Sequence, residues 1–213
     1  MKDIAIYGAG GFGREVACLI RIINEKTPEW DLVGFFDDGI EKGSRNEYGA
    51  VLGGISEVNN YPKELAVAIA IANPKIVSKL VKNIENPNVK YPNIIAPDLI
   101  YLDKTHVTLG RGNIIGLKCS LSCNVKIGDF NILNGSVSIG HDSIIGNFNS
   151  LMTSVIISGE VIINDRNFFG VGAIVLQQIR IGNDTTVGAN SLILRRTKDG
   201  MTYVGNPASI INY

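Results

Sequence analysis

From Leu109 onward, every sixth residue is large and apolar: Leu109, Ile115, Leu121, Ile127, Leu133, Ile139, Ile145, Leu151, Ile157, Ile163, Phe169, Val175, Ile181, Val187 and Ile193. A period of six matches neither the 3.6-residue repeat of an amphipathic helix nor the two-residue alternation of a hairpin meander. It is the pattern of a hexapeptide-repeat parallel β-helix, in which each unit supplies one short strand and one corner. The slot after the anchor is often glycine (Gly110, Gly116, Gly128, Gly140, Gly146, Gly170, Gly182, Gly188) or asparagine (Asn134, Asn164). These residues reach left-handed backbone angles cheaply, so this slot is expected to make the tight corner. The slot two before the anchor is small or β-branched at Val107, Val125, Val137, Val155, Val161 and Ala173. It points inward with the anchor, because strand side chains alternate.

A second periodicity lies on the first. Asn113, Asn131, Asn149 and Asn167 occupy this inward slot at intervals of eighteen residues. Three hexapeptides per coil place the four on one edge, where their amides can hydrogen-bond in a ladder with a step of about 4.8 Å. The expected shape is a triangular prism of about five coils.

Composition sets the outer limits. The 213 residues suffice for one or two domains, and 20 basic residues balance 20 acidic ones, so nothing points to nucleic acid or an anionic membrane. Cys18, Cys119 and Cys123 form neither a metal pattern nor a disulfide framework. Cys119 falls at an inward slot and Cys123 at a corner. No leader peptide or run of eighteen apolar residues is seen, which gives a cytoplasmic location as the expectation.

The first ninety residues read differently. Residues 3–7 are expected to form a buried strand, followed by Gly8-Ala9-Gly10-Gly11-Phe12-Gly13 and an amphipathic helix from Arg14 to about Lys26. Leu32 to Phe36 reads as a second strand ending at Asp37-Asp38. Leu65 to Ala72 reads as a third, ending at Asn73-Pro74 before a helix to about Glu85. This alternation predicts a small Rossmann-like parallel sheet over 1–90. A Pro/Asn-rich stretch then marks the boundary to an all-β unit over 91–213. Irregular first turns are expected at 93–106, with a tail after Arg196. A G-x-G-x-x-G turn between strand and helix can set backbone N–H groups against a phosphate at the positive end of the helix. Asp37 or Asp38 could then accept hydrogen bonds from a ribose or base. The unit is half the size of a two-lobed NAD site, which favours a nucleotide diphosphate carrying something else.

There are two histidines, His106 and His141. By spacing alone, His141 is an outward corner residue, two past its anchor. The chain resembles the left-handed β-helix family of sialic-acid O-acetyltransferases and nucleotide-sugar N-acetyltransferases. The residues that carry the resemblance are 6–13 (Ile-Tyr-Gly-Ala-Gly-Gly-Phe-Gly), 35–38 (Phe-Phe-Asp-Asp), 70–73 (Ala-Ile-Ala-Asn), 140–142 (Gly-His-Asp) with Ile145-Gly146, and 204–208 (Val-Gly-Asn-Pro-Ala). The resemblance implies a homotrimer with acetyl-CoA bound between protomers along the β-helix, and a nucleotide sugar held by the N-terminal domain. It also implies His141 as catalytic base, Asp142 as the acid that orients it, and Gly159 as the N–H donor to the acetyl carbonyl. Gly8, Gly10, Gly11, Gly13, Asp37, Asp38 and Asn73 would face the nucleotide sugar. The chain departs from the family pattern at Ser150, at Met152-Thr153-Ser154-Val155 and at Ser209.

The residue types suit acyl transfer. An attacking amine must lose a proton, and an imidazole titrating near neutrality accepts it. Three readings follow: N-acetylation of a nucleotide-linked amino sugar, O-acetylation of a sugar hydroxyl such as that of sialic acid, and a non-enzymatic sugar-nucleotide binding protein. Zinc hydratases on this fold require three histidine ligands, and two histidines do not supply them.

Overall fold

A computed structural model describes residues 1–211. The N-terminal unit is a six-stranded sheet of β1 (Lys2–Tyr7), β2 (Trp30–Phe36), β3 (Arg45–Asn46), β4 (Gly49–Gly53), β5 (Leu65–Ile69) and β6 (Val89–Lys90), in the order β3-β4-β2-β1-β5-β6. Helices α1 (Gly11–Lys26), α2 (Ile55–Asn59) and α3 (Pro74–Asn83) complete it. Helix α1 buries Gly13, Val16, Ala17 and Ile20, the i, i+3, i+4, i+7 stripe of a one-sided helix. The hairpin β3–β4 and the short α2 were not visible in the apolar pattern. Both are brief, and they are held by loop hydrogen bonds such as Val51 N–H to Ser44 O at 2.8 Å.

The remainder is a column of parallel two-residue strands on three faces. Face one runs from Ile94–Ile95 through Ile114–Ile115, Ile132–Leu133, Ser150–Leu151 and Phe168–Phe169 to Thr186–Val187. Face two runs from Ile100–Tyr101 to Leu192–Ile193, and face three from Thr108–Leu109 to Arg180–Ile181. From Thr108 to Ile193, successive strands on a face are paired eighteen residues apart, as in Ser120↔Ser138 and Ile145↔Ile163. The anchors from Ile115 to Ile193 are all buried, and Leu109 is half-buried in the first coil. Cys119 is fully buried among them, and burial pushes its thiol up to about 11. The first coil is more regular than the composition of 93–106 suggests. Ile94–Ile95 and Ile100–Tyr101 already pair in register with the next coil, and only Lys104–His106 is a 3-10 turn. An antiparallel hairpin, Thr202–Gly205 with Ala208–Ile211, extends face one at the other end.

One expectation needs correction. The glycines after the anchors do not carry the left-handed backbone. Positive φ falls two residues later, at Lys118, Asn124, Phe130, Ser136, Asp142, Phe148, Ser154, Glu160 and their counterparts. The post-anchor glycines serve close stacking instead. A Cβ on Gly140 would sit 2.5 Å from Gly159 N, and one on Gly170 would sit 2.5 Å from Ala189 N. The period-six pattern located the corner, but the slot that turns the chain tolerates almost any side chain at its rim.

The asparagine ladder is present as read. Asn131 Nδ2 donates to Asn113 Oδ1 (3.1 Å), Asn149 Nδ2 to Asn131 Oδ1 (3.0 Å) and Asn167 Nδ2 to Asn149 Oδ1 (3.0 Å). Each Oδ1 also accepts the main-chain N–H of the next rung, ending with Thr185 N–H on Asn167. All four asparagines are fully buried. Asn149→Leu leaves the Asn167 N–H without its acceptor inside the column, so a loss of about 1–3 kcal/mol in denaturant unfolding is expected. An unchanged midpoint and slope would show that the ladder adds nothing to stability.

The two units share a core. Val16, Leu19 and Ile20 of α1 pack in one cluster with Ile94, Ala96, Ile114 and Ile132 of face one. The N-terminal unit is therefore seated on face one.

Candidate active site

His141 follows Ile139, the face-two anchor, by two residues, so it stands on the edge where the chain turns from face two to face three. Cys123, Gly159, Gln177 and Arg195 hold the same slot in the neighbouring coils, each two residues past a face-two anchor. The face that carries the N-terminal unit lies on the opposite side of the prism.

The imidazole is about half-exposed and contacts its sequence neighbour. His141 Nδ1 lies 2.8 Å from Asp142 Oδ2, and the two side chains are 47% and 49% exposed. Asp142 sits at the left-handed corner (φ 58°), a conformation that aspartate tolerates better than most side chains. The other carboxylate oxygen, Oδ1, accepts from Asn124 Nδ2 at 2.9 Å. The hydrogen bonds from His141 and then from Asn124 hold the Asp142 carboxyl below the usual carboxylate range. A carboxylate that accepts from Nδ1–H fixes the ring tautomer and leaves the Nε2 lone pair free to take a proton.

What Nε2 faces is the next coil. A Cβ on Gly159 would lie 2.4 Å from His141 Nε2 and 2.6 Å from its Cε1. Any other residue at 159 would collide with the ring, so glycine is what lets the imidazole pack on the next coil. The Gly159 N–H donates to no group among the described residues. Glu160, one residue on, donates its N–H to His141 O (2.7 Å) and holds the side-chain amides of Gln177 (2.9 Å) and Gln178 (3.1 Å) with its carboxylate. Those two amides lower the Glu160 pKa. Asn124 and Glu160 went unremarked in the sequence. The signal that could have found them is the coil period, since they lie eighteen residues before and after Asp142.

The glycine turn forms a separate locus. Gly8 has φ 108°, and a Cβ there would sit 2.7 Å from Ala70 O; one on Gly13 would strike Gly8 O. These two glycines are required by packing. Gly10 and Gly11 face open space, and α1 begins there with no side-chain cap and no acidic residue in its first turn. That leaves the first N–H groups of α1 available to an anion. The aspartates brace this turn. Asp37 accepts from the Ala9 and Gly39 N–H groups (2.9 and 2.8 Å), and Asp38 accepts from Tyr7 OH (2.6 Å) and the Ile55 N–H (2.9 Å). Burial first, and then Asp38, raises the Tyr7 pKa. Both aspartates line a cleft of about 260 Å³ with Lys42 and Gly54. Asn73 lies elsewhere. Its Oδ1 caps α3 through the N–H groups of Lys75 (3.0 Å) and Ile76 (3.3 Å), and it borders a different cleft, with Arg166 and Asp184. Ser150 is buried on face one, away from the His141 edge.

Asn124 offers a direct test of the relay. Asn124→Ala removes one of the two bonds that depress the Asp142 pKa, so its folded-state value rises. A depressed carboxyl stabilises the fold above its unfolded pKa, and that contribution is lost as pH falls through the folded value. In the variant the loss therefore begins at higher pH. The Asp142 carboxyl ¹³C shift, followed against pH, should move its midpoint upward. An unmoved midpoint would leave Asn124 without influence on the pair.

A prism with a glycine-rich strand-to-helix turn in the unit seated on one face and a histidine–carboxylate pair on the far edge has the architecture of a hexapeptide-repeat acyltransferase. Residues 3–84 match the family model described as the PglD N-terminal domain. The chain is similar to WeeI from Acinetobacter baumannii AYE, with 30% identity, TM-score 0.88 and coverage of 99% of this chain and 100% of that one. It is similar to the acetyltransferase domain of PglB from Neisseria gonorrhoeae FA1090, with 27% identity, TM-score 0.88 and coverage of 99% and 100%. It also shares the fold of PerB from Caulobacter crescentus, solved with CoA and GDP-perosamine, with 24% identity, TM-score 0.89 and coverage of 100% and 98%. No curated protein sequence matches it. The chain belongs to the left-handed β-helix acyltransferase family that includes the nucleotide-sugar N-acetyltransferases.

Proposed function

We propose that this protein transfers the acetyl group of acetyl-CoA to the amine of a nucleotide-linked amino sugar, with His141 as general base. The amine attacks the thioester carbonyl; its proton passes to His141 Nε2, and the CoA thiolate leaves. Asp142 holds the ring and favours the imidazolium, at a gain of about 10²–10⁴-fold for the base as a whole. The Gly159 N–H, which has no acceptor among the described residues, stands in the coil next to the ring and donates to the oxyanion. The observation that carries this reading is the His141–Asp142 pair, 2.8 Å apart on the outer edge, with the ring packed directly on Gly159 of the next coil. Family membership supports it, as does the acetyl coenzyme A complex of the Neisseria domain, 27% identical to this chain.

The glycine turn at the start of α1 would hold the nucleotide diphosphate, with Asp37 and Asp38 as its rigid frame. Because this domain sits on face one and His141 on the opposite edge, a sugar held by one protomer meets the base of another. That supports a homotrimer with the site between columns. All three cysteines are free thiols, and both co-substrates are metabolites of the cytoplasm, which supports that location. Among the described residues no helix is long and apolar enough to cross a membrane.

The test is acetyl transfer from acetyl-CoA, followed by thiol release, with UDP-, GDP-, CMP- and dTDP-linked amino sugars set against free amino sugars and sialic acid. Turnover restricted to nucleotide-linked amines is expected. Turnover with a free sugar hydroxyl would move the acceptor, and thiol release with none of them would remove the activity.

A further inference from the structure

Glu160 stands one coil beyond Asp142 in the same corner slot, and both residues turn the backbone there with positive φ (59° and 58°). Its place beside the base is fixed at both ends. Its N–H holds His141 O at 2.7 Å, and its carboxylate is fastened from the following coil, Oε1 by Gln177 and Oε2 by Gln178. The two carboxylates of this edge are committed differently. Asp142 has one oxygen on the imidazole and the other on Asn124. Glu160 touches no ring, and each of its oxygens accepts a single bond, where a carboxylate has room for about four in all. It is exposed and forms no salt bridge among the described residues. The charges acting on it are those of His141 and Asp142. The next at these two slots, Arg195 and Arg196, stand two coils on, roughly 10 Å away. With the imidazole neutral, the edge at His141 therefore carries two negative charges and no positive one.

We infer that Glu160 recognises the amino group of the acceptor and so sets the preference for an amine over a hydroxyl at the reacting position. The inference rests on the acyl-transfer reading above. An amine arrives largely as an ammonium, since such groups titrate at about 8–10, whereas a hydroxyl arrives neutral. The ammonium sheds one proton to water before it can attack. In the attack the nitrogen lone pair forms the C–N bond, and the nitrogen is positive again until His141 Nε2 takes its proton; the C–S bond then breaks and the CoA thiolate leaves. A carboxylate one coil from the base faces positive charge at both stages. Because two side-chain amides already hold Glu160, it stabilises that charge without first having to reorganise. The same amides keep it ionised, by drawing its pKa below the usual carboxylate range. A neutral hydroxyl offers it no charge to bind.

The experiment uses the nucleotide-linked amino sugar that wild type acetylates fastest, together with its counterpart bearing a hydroxyl in place of the amine. Both are titrated calorimetrically into the intact protein as wild type, Glu160→Gln and Glu160→Asp, from about pH 6 to about pH 10. Wild type should bind the amine about tenfold more tightly than the hydroxyl near neutrality, and the preference should fade as pH rises through the pKa of the amine. Glu160→Gln should lose about that tenfold for the amine, bind the hydroxyl as wild type does, and show a flattened pH profile. Glu160→Asp, which keeps the charge, should recover part of the preference. An amine preference in Glu160→Gln within about twofold of wild type overturns the inference and leaves acyl transfer in place. Equal weakening of both ligands also overturns it, as the mark of a purely structural role. Wild type that acetylates no nucleotide-linked amine removes the reading on which the inference rests. Elution volume and circular dichroism identical to wild type exclude misfolding as the cause of a loss.

Discussion

His141→Ala lowers kcat by about 10²-fold or more and leaves the fold intact. The ring stands half-exposed on the outer edge and packs no core residue, so its removal costs the column little. Asp142 keeps its bond from Asn124, and the Glu160 N–H to His141 O bond is main-chain and survives the substitution. What is lost is the acceptor for the proton of the attacking amine. Because the base acts in the transition state, kcat and kcat/KM should fall together while KM for the nucleotide sugar holds. Steady-state kinetics with an unchanged melting profile gives the check. Wild-type turnover in this variant would take His141 out of the reaction.

The second large effect is on stability. Ile145→Asp should abolish the folded column. Ile145 is 1% exposed, and its neighbours on face three, Ile127 and Ile163, are buried anchors as well. A carboxylate there has neither counter-ion nor hydrogen-bond donor. Leaving a buried charge uncompensated costs about 3–5 kcal/mol, and the lost apolar contacts add to that. The sum is comparable to the whole stability of an ordinary domain, about 5–15 kcal/mol. The substitution lies mid-column, so coils on both sides lose their template. Loss of the far-ultraviolet strand signal, or recovery only as aggregate, is the expected result. A soluble, normally melting protein would mean that residue 145 does not face the interior.

How much of this was legible depends on whether a residue's role is set by its neighbours in sequence or by those one coil away. The anchors and the Asn113–Asn167 ladder repeat at fixed intervals, so the column and its interior could be read directly. The glycines misled because the sequence marks where a corner lies without marking which of its slots turns the backbone: Gly140 is there for the approach of Gly159, and Asp142 makes the turn. His141 and Asp142 are adjacent and could be paired from the sequence. Asn124 and Glu160 reach them only through the coil period. Asp37 and Asp38 could be placed at the end of β2, but their bonds to Ala9, Gly39, Tyr7 and Ile55 depend on how the glycine turn and the β4–α2 junction close over them. The hairpin β3–β4 left no periodic trace because it is too short to have a period.

The stacked register also restricts how such a chain can change its length. An insertion of six residues between His141 and Gly159 would rotate everything beyond it by one face, carrying Gly159 away from the imidazole packed on it. An insertion of eighteen residues beyond Gly159 would restore every face and leave the interior continuous, moving the far end of the column outward by a single storey. Duplications and deletions compatible with this site should therefore come in whole turns, and they would lengthen or shorten the cleft without rewriting its chemistry.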